Sequence, residues 1–214
     1  MRLVLPRLYV ILDSALLNIP VQDCAQELAD AGVRLMQYRA KTALARDLLN
    51  SSRKLALQLN PLGVSFVVND RADVAVLAGA TGVHVGQDDL EVEQARALVG
   101  AEKWVGVSTH TLEQFRAAAA TSAGYVAVGP VFATSSKAKP DPVIGTEFIR
   151  RVRDLTDKPI VGIGGITLEN AASVIGAGAD CVAVISDVLR APNRGRRAKQ
   201  FLELLGDTNH SATA

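Results

Sequence analysis

Several segments of this 214-residue chain end in side chains able to bind phosphate or metal. One apolar run leads into Gln37, Tyr38, Arg39, Ala40 and Lys41. The i, i+2, i+4 spacing sets Gln37, Arg39 and Lys41 on one face if the strand geometry persists, and that face carries two cations. An Arg fork beside a Lys point charge suits a diphosphate better than a carboxylate. A plain solvated strand end is the competing reading, and on this motif alone the two are evenly matched. Asn69 and Asp70 close the next apolar run, and Gln87, Asp88 and Asp89 follow the one after. Neighbouring parallel strands lie about 4.8 Å apart, so the carboxylates of Asp70 and Asp89 could converge on one ion. An oxygen-only set points to Mg2+, which takes one or two carboxylates and completes its shell with water and phosphate oxygens. Each Asp taken singly reads first as the N-cap of the helix after it. Beside two cations on the preceding strand, metal-assisted diphosphate binding is the better account.

A second set suits a smaller phosphate. Gly164 and Gly165 let the backbone approach an anion, Ile185 and Ser186 fall where a helix N-terminus could face one, and Thr134, Ser135, Ser136 and Lys137 offer hydroxyls, backbone donors and a cation. A tight glycine turn and a polar surface loop are the plainer alternatives. Ser108, Thr109 and His110 close another run, which leaves His110 open to a proton-transfer role. His84 lies inside an apolar run and is expected as a hydrogen-bonded core residue. There is no Ser-His-Asp ordering, Schiff-base lysine or dinucleotide fingerprint. Equipment for two anions favours a two-substrate transferase over an isomerase.

Residues so dispersed need a frame that brings strand ends together. Short apolar, β-branched runs occur at 8–13, 33–39, 65–70, 82–86, 104–109, 125–131, 159–165 and 181–186. Helix-spaced stretches at 21–31, 44–59, 71–78, 91–99, 112–121, 146–155, 168–175 and 194–205 alternate with them. Strands apolar on both faces, each followed by a helix, imply parallel pairing, and eight such units close into a (β/α)8 TIM barrel with its site at the strand C-termini. A doubly wound open sheet is the runner-up, but the sequence after the first strand, DSALLNIP, lacks the glycine loop of that fold. Gly32, Gly79 and Gly100 follow helices as stops, and Thr111 with Gln114 predicts a capping box. We expect one barrel domain over 1–206 and a frayed polar tail over 207–214.

Composition narrows the partners. A formal net charge of +1 and 4% aromatic residues provide neither a broad positive field nor base-stacking platforms, so no nucleic acid partner is expected. Cys24 and Cys181 have no paired spacing and read as small buried hydrophobes. Pro6, Arg7 and Asp13 interrupt the apolar N-terminus, and no run reaches the roughly 18 apolar residues of a membrane span, so a cytoplasmic location without membrane contact is expected. The basic run Arg190, Arg194, Arg196, Arg197 and Lys199 reads as a solvated face without an assigned function.

The ordered set Q-Y-R-A-K (37–41), V-V-N-D-R (67–71), G-V-H-V-G-Q-D-D (82–89), G-V-S-T-H-T (106–111), G-P-V-F-A-T-S-S-K (129–137), G-I-G-G-I (162–166) and A-V-I-S (183–186) resembles the thiamine-phosphate synthase family across nearly the whole chain. Each motif is weak singly, and together they are highly specific. The resemblance implies condensation of 4-amino-2-methyl-5-(diphosphooxymethyl)pyrimidine with 4-methyl-5-(2-phosphooxyethyl)thiazole, small-molecule partners only. It implies that Gln37, Arg39, Lys41, Asn69, Ser108 and Lys137 bind the pyrimidine diphosphate, with Arg39, Lys41, Lys137 and Ser108 carrying the catalysis. By the same resemblance Asp70 and Asp89 hold Mg2+, and Thr134, Ser136, Gly165, Ile185 and Ser186 bind the thiazole phosphate. The family chemistry is dissociative: diphosphate leaves first, and the thiazole nitrogen captures the resulting cation. Ala40 stands where the family usually has Glu, on the face turned away from Gln37 and Arg39. The rivals are a thiazole tautomerase-like isomerase using His110 and a non-catalytic phosphate-binding barrel. A homo-oligomer is compatible with the sequence.

Overall fold

The computed structural model describes residues 3–134 and 141–206. The strands are β1 (Leu8–Asp13), β2 (Leu35–Arg39), β3 (Ser65–Asn69), β4 (Gly82–Val85), β5 (Trp104–Thr109), β6 (Tyr125–Val128), β7 (Ile160–Ile163) and β8 (Cys181–Val184). All neighbours pair in parallel, and β8 returns to β1 to close the barrel. Closure leaves no sheet edge unpaired. The expected (β/α)8 architecture is the observed one.

Around the strands run α1 (Val21–Asp30), α2 (Ala45–Leu59), α3 (Ala72–Ala78), α4 (Val92–Val99), α5 (Leu112–Ala119), α6 (Gly145–Arg153) and α7 (Ala171–Gly176). Two more follow β8: the short α8 (Ser186–Leu189) and the longer α9 (Arg194–Leu205). Alternation along the strands sorts side chains into two apolar layers. Val10, Met36, Val68, Val83 and Val126 join the layer shared with Leu28, Leu55, Phe115 and Phe201 of the helices. Tyr9, Ile11, Leu35, Val67, Tyr125, Ala127, Val161 and Cys181 form the barrel interior. Both cysteines are buried, as expected.

Small residues make the interior fit. A Cβ on Gly106 of β5 would sit 2.0 Å from Cζ of Tyr125, so only glycine there admits the Tyr125 ring. Among the described residues no helix is long and apolar enough to cross a membrane. The polar tail expected over 207–214 lies outside the described residues.

Some boundaries differ from the sequence reading. β2 begins at Leu35 rather than at 33, and β6 ends at Val128 rather than at 131, where Pro130 lacks the N–H a ladder needs. The pairing direction still continues, because Val131 N–H donates to the Ile163 carbonyl at 2.9 Å and Phe132 N–H to Gly164 at 3.0 Å. The capping box at Thr111 is shifted. Thr111 Oγ1 accepts from Gln114 N–H at 3.2 Å, but the Gln114 side chain reaches back to the N–H of His110, not of Thr111.

Candidate active site

Strand register brings the expected diphosphate residues to one end of the barrel. Gln37 is buried, Arg39 closes β2, and Lys41 lies just beyond it. Ala40 and Tyr38 pack into the outer layer, so position 40 faces away from the site, as strand alternation requires. Arg39 is opposite Asp13 in the β1 to β2 register and pairs with its carboxylate. Asp13 is 4% exposed and also accepts from Ala15 N–H at 3.0 Å, so the partner that holds Arg39 is itself fixed. The sequence reading missed Asp13. Its signal was available, since an acid closes β1 as Asp70 follows β3.

Asp70 is the centre of the acidic group. Its backbone is left-handed, φ 64°, a conformation uncommon outside glycine and tolerated by Asp. Its N–H donates to the His84 carbonyl at 2.8 Å, which fastens the end of β3 to β4. Lys41 Nζ stands 3.4 Å from its carboxylate. Burial, with Asp89 beside it, pushes the Asp70 carboxyl up to about 6, against the pull of Lys41. Asp89 is anchored separately by Gly86 N–H, which donates to Oδ2 at 2.7 Å.

Neither Asp caps a helix. Arg71 and Glu91 occupy the N-cap positions of α3 and α4, and Glu91 forms a capping box with Gln94. That removes the ordinary structural role for both carboxylates. Two acids held together at the mouth of a barrel fit a hard divalent cation that keeps water and substrate oxygens as its other ligands. Among the described residues no group of three or more His, Cys, Asp or Glu gathers as a metal cage.

Ser108 on β5 sits beside His84, whose Nε2 is 2.9 Å from its Oγ. Gln87, in the loop after β4, closes the same corner, its side-chain amide Nε2 donating to the Ser108 carbonyl at 2.7 Å. Asn69 ends β3 next to Asp70, half-buried. His84 is buried, as expected, and burial holds its imidazole down at about 4, in the neutral form.

The expected phosphate end lies after β6, β7 and β8. A Cβ on Gly165 would be 2.3 Å from the Ala133 carbonyl oxygen, and φ there is 63°, so glycine lets the loop bearing Thr134 close onto the β7 turn. Asn170 Nδ2 donates to the Gly165 carbonyl at 3.0 Å. Ile185 is the N-cap of α8 and Ser186 its first residue. Asp187 ties α8 to that turn by accepting from Leu168 N–H at 3.2 Å, and Arg197 stands 3.5 Å from the same carboxylate. Part of the basic run is therefore a brace for this end, with Arg194 also bound to the Leu189 carbonyl at 3.0 Å. Ser136 and Lys137 lie outside the described residues, as does most of the loop 135–142.

His110 is committed to structure. Its Nδ1 lies 2.6 Å from the Gly129 carbonyl oxygen and its Nε2 3.5 Å from Asp141 Oδ2. Both ring nitrogens therefore face protein atoms, which weighs against a free proton-transfer group.

Comparison with known proteins identifies close relatives. The family model described as Thiamine monophosphate synthase matches residues 8–188. A thiamine-phosphate synthase of Koribacter versatilis (strain Ellin345) is 50% identical over 206 residues, covering 94% of this chain and 96% of its own. That of Myxococcus xanthus (strain DK1622) is 45% identical over 192 residues, covering 89% and 88%. The solved structure of thiamine phosphate pyrophosphorylase from Pyrococcus furiosus matches with a TM-score of 0.85 at 30% identity, covering 94% of this chain and 96% of that one.

Proposed function

The chain belongs to the thiamine monophosphate synthase family, and from that premise we propose that it joins the pyrimidine diphosphate to the thiazole phosphate, releasing diphosphate and forming thiamine phosphate. The observation that carries this reading is the arrangement of opposite charges at the mouth. Arg39 pairs with Asp13, while Lys41 lies against Asp70, which has Asp89 beside it. Such a group binds an anion and a divalent cation together, which is the form a magnesium diphosphate takes.

Asp70 and Asp89 would hold Mg2+, which when bound neutralises diphosphate charge and so stabilises its departure. The protein's own groups do the rest. The Lys41 ammonium, 3.4 Å from Asp70 and half-exposed, has N–H donors left for the diphosphate. Arg39 keeps one side of its guanidinium on Asp13 and offers its remaining N–H donors to phosphate oxygens. Lys137 supplies the third cation, and Gln37, Asn69 and Ser108 hold the pyrimidine. Thr134, Ser136, Gly165, Ile185 and Ser186 take the phosphate of the thiazole.

The C–O bond breaks with its electron pair leaving on diphosphate. The pyrimidine-methyl cation is captured by the lone pair of the thiazole nitrogen, which carries no proton, so no general base is needed. This fits a site whose two histidines are both engaged with protein atoms. The apolar interior beneath, Ile11, Val67, Ala127 and Val161, gives the site a buried floor. Formation of thiamine phosphate from the two substrates by the purified protein is the test.

A further inference from the structure

Gln37 and Ser108 are joined through the barrel interior by a chain of buried polar groups. Gln37 Nε2 donates to the Tyr9 hydroxyl at 2.7 Å, and Tyr9 Oη lies 3.1 Å from Tyr125 Oη. Tyr125 Oη is 3.0 Å from His84 Nδ1, and His84 Nε2 is 2.9 Å from Ser108 Oγ. Tyr9 and Tyr125 are 1% and 0% exposed, so water does not complete their bonding. The ring of His84 also stacks on Tyr125, with centroids 5.5 Å apart.

With the Gln37 amide nitrogen facing Tyr9, counting protons sets the direction of the remaining links. A tyrosine hydroxyl has one hydrogen, and a neutral imidazole has one N–H. Tyr9 accepts from Gln37, and among the described residues the only other polar group bonded to its hydroxyl is Tyr125, so Tyr9 must donate to Tyr125. Tyr125 must then donate to His84 Nδ1, which makes Nδ1 the bare nitrogen and Nε2 the N–H. His84 Nε2–H donates to Ser108 Oγ, and the Ser108 hydrogen is left over. With that amide orientation, the opposite direction would leave a buried Tyr9 hydrogen without an acceptor.

We propose that Tyr9, Tyr125 and His84 form a positioning relay that sets the hydrogen-bonding faces of Gln37 and Ser108 in opposite senses. Gln37 presents its carbonyl oxygen and Ser108 presents its hydroxyl hydrogen. The site thereby selects a heteroaromatic ring with an N–H donor toward Gln37 and a bare ring nitrogen toward Ser108. An aminopyrimidine has that pattern, and the corresponding pyrimidinone reverses it. The ligand assignment rests on the function proposed above, whereas the direction of the relay rests on the bonds and the orientation of the Gln37 amide.

Two measurements test the relay separately from the synthase reading. In the folded protein at neutral pH, 15N NMR of His84 is expected to show the Nε2–H tautomer with a bare Nδ1. An Nδ1–H tautomer or an imidazolium would overturn the proposal, whether or not the protein makes thiamine phosphate. Tyr9→Phe and Tyr125→Phe keep the rings and remove the hydroxyls. In each, the preference in kcat/KM for the aminopyrimidine diphosphate over its pyrimidinone analogue is expected to fall about tenfold, with KM for the thiazole phosphate unchanged. An unaltered preference in both folded variants would reduce the chain to packing.

Discussion

The ammonium of Lys41 lies 3.4 Å from the carboxylate of Asp70, and Asp89 presses on the same carboxyl. One acid thus stands between a cation and a second acid. Burial and Asp89 outweigh Lys41 and leave Asp70 titrating near 6.

The sign of the resulting pH dependence follows. A carboxyl whose folded value lies above its ordinary value of about 3.9 favours folding in its protonated form. The stability it contributes is full below about 3.9 and is lost as pH rises through about 6. Metal-free protein is therefore expected to melt at higher temperature at pH 5 than at pH 7 to a greater extent than Asp70→Asn does. Mg2+ binding needs the ionised form, so the rise in Tm with added Mg2+ is expected to shrink as pH falls below 6. Thermal melts of both proteins with and without Mg2+ check this, and identical pH profiles would contradict it.

Asp13 is expected to matter through Arg39. Removing one partner of a buried pair leaves the other charge uncompensated, so Asp13→Ala should lose about 3 kcal/mol in urea unfolding. Binding of the pyrimidine diphosphate should weaken as well, because Arg39 loses its anchor. Unchanged stability and KM would mean that the pair is not what positions Arg39.

Much of this was legible in the sequence, and the parts that were not have a common cause. Uninterrupted apolar runs such as 65–70 and 82–86 announce strands buried on both faces, and the polar residues that end them announce the site. Pairing across the barrel is not written in local pattern. Asp13 meets Arg39 only through the β1 to β2 register, 26 residues apart in sequence. Tyr9 and Tyr125 are 116 residues apart, and their hydroxyls find each other only in three dimensions. Helix α8 has four residues, too few to show a helical period. Asp70 and Asp89 read singly as caps because the sequence does not show that Arg71 and Glu91 take those positions.

Asp89 and Lys137 are expected to separate from His110 by function. Removing a group that stabilises developing negative charge costs roughly 10²–10³ in kcat. Asp89→Ala should fall in that range, and Lys137→Ala likewise, while His110→Ala should stay within about tenfold, since its ring is bound to Gly129 and faces Asp141. Steady-state kinetics of the three variants decide it. The reverse order would favour proton transfer by His110 and an isomerase.

The central claim is a magnesium-dependent joining of two phosphorylated heterocycles at the mouth of this barrel. Its most direct measurement supplies the purified protein with the pyrimidine diphosphate, the thiazole phosphate and Mg2+, and quantifies thiamine phosphate and diphosphate together. The account predicts equal amounts of both products, none when either substrate is omitted, and loss of the reaction on addition of EDTA with recovery by excess Mg2+. No thiamine phosphate with both substrates and Mg2+ present, or undiminished turnover in EDTA, would contradict it.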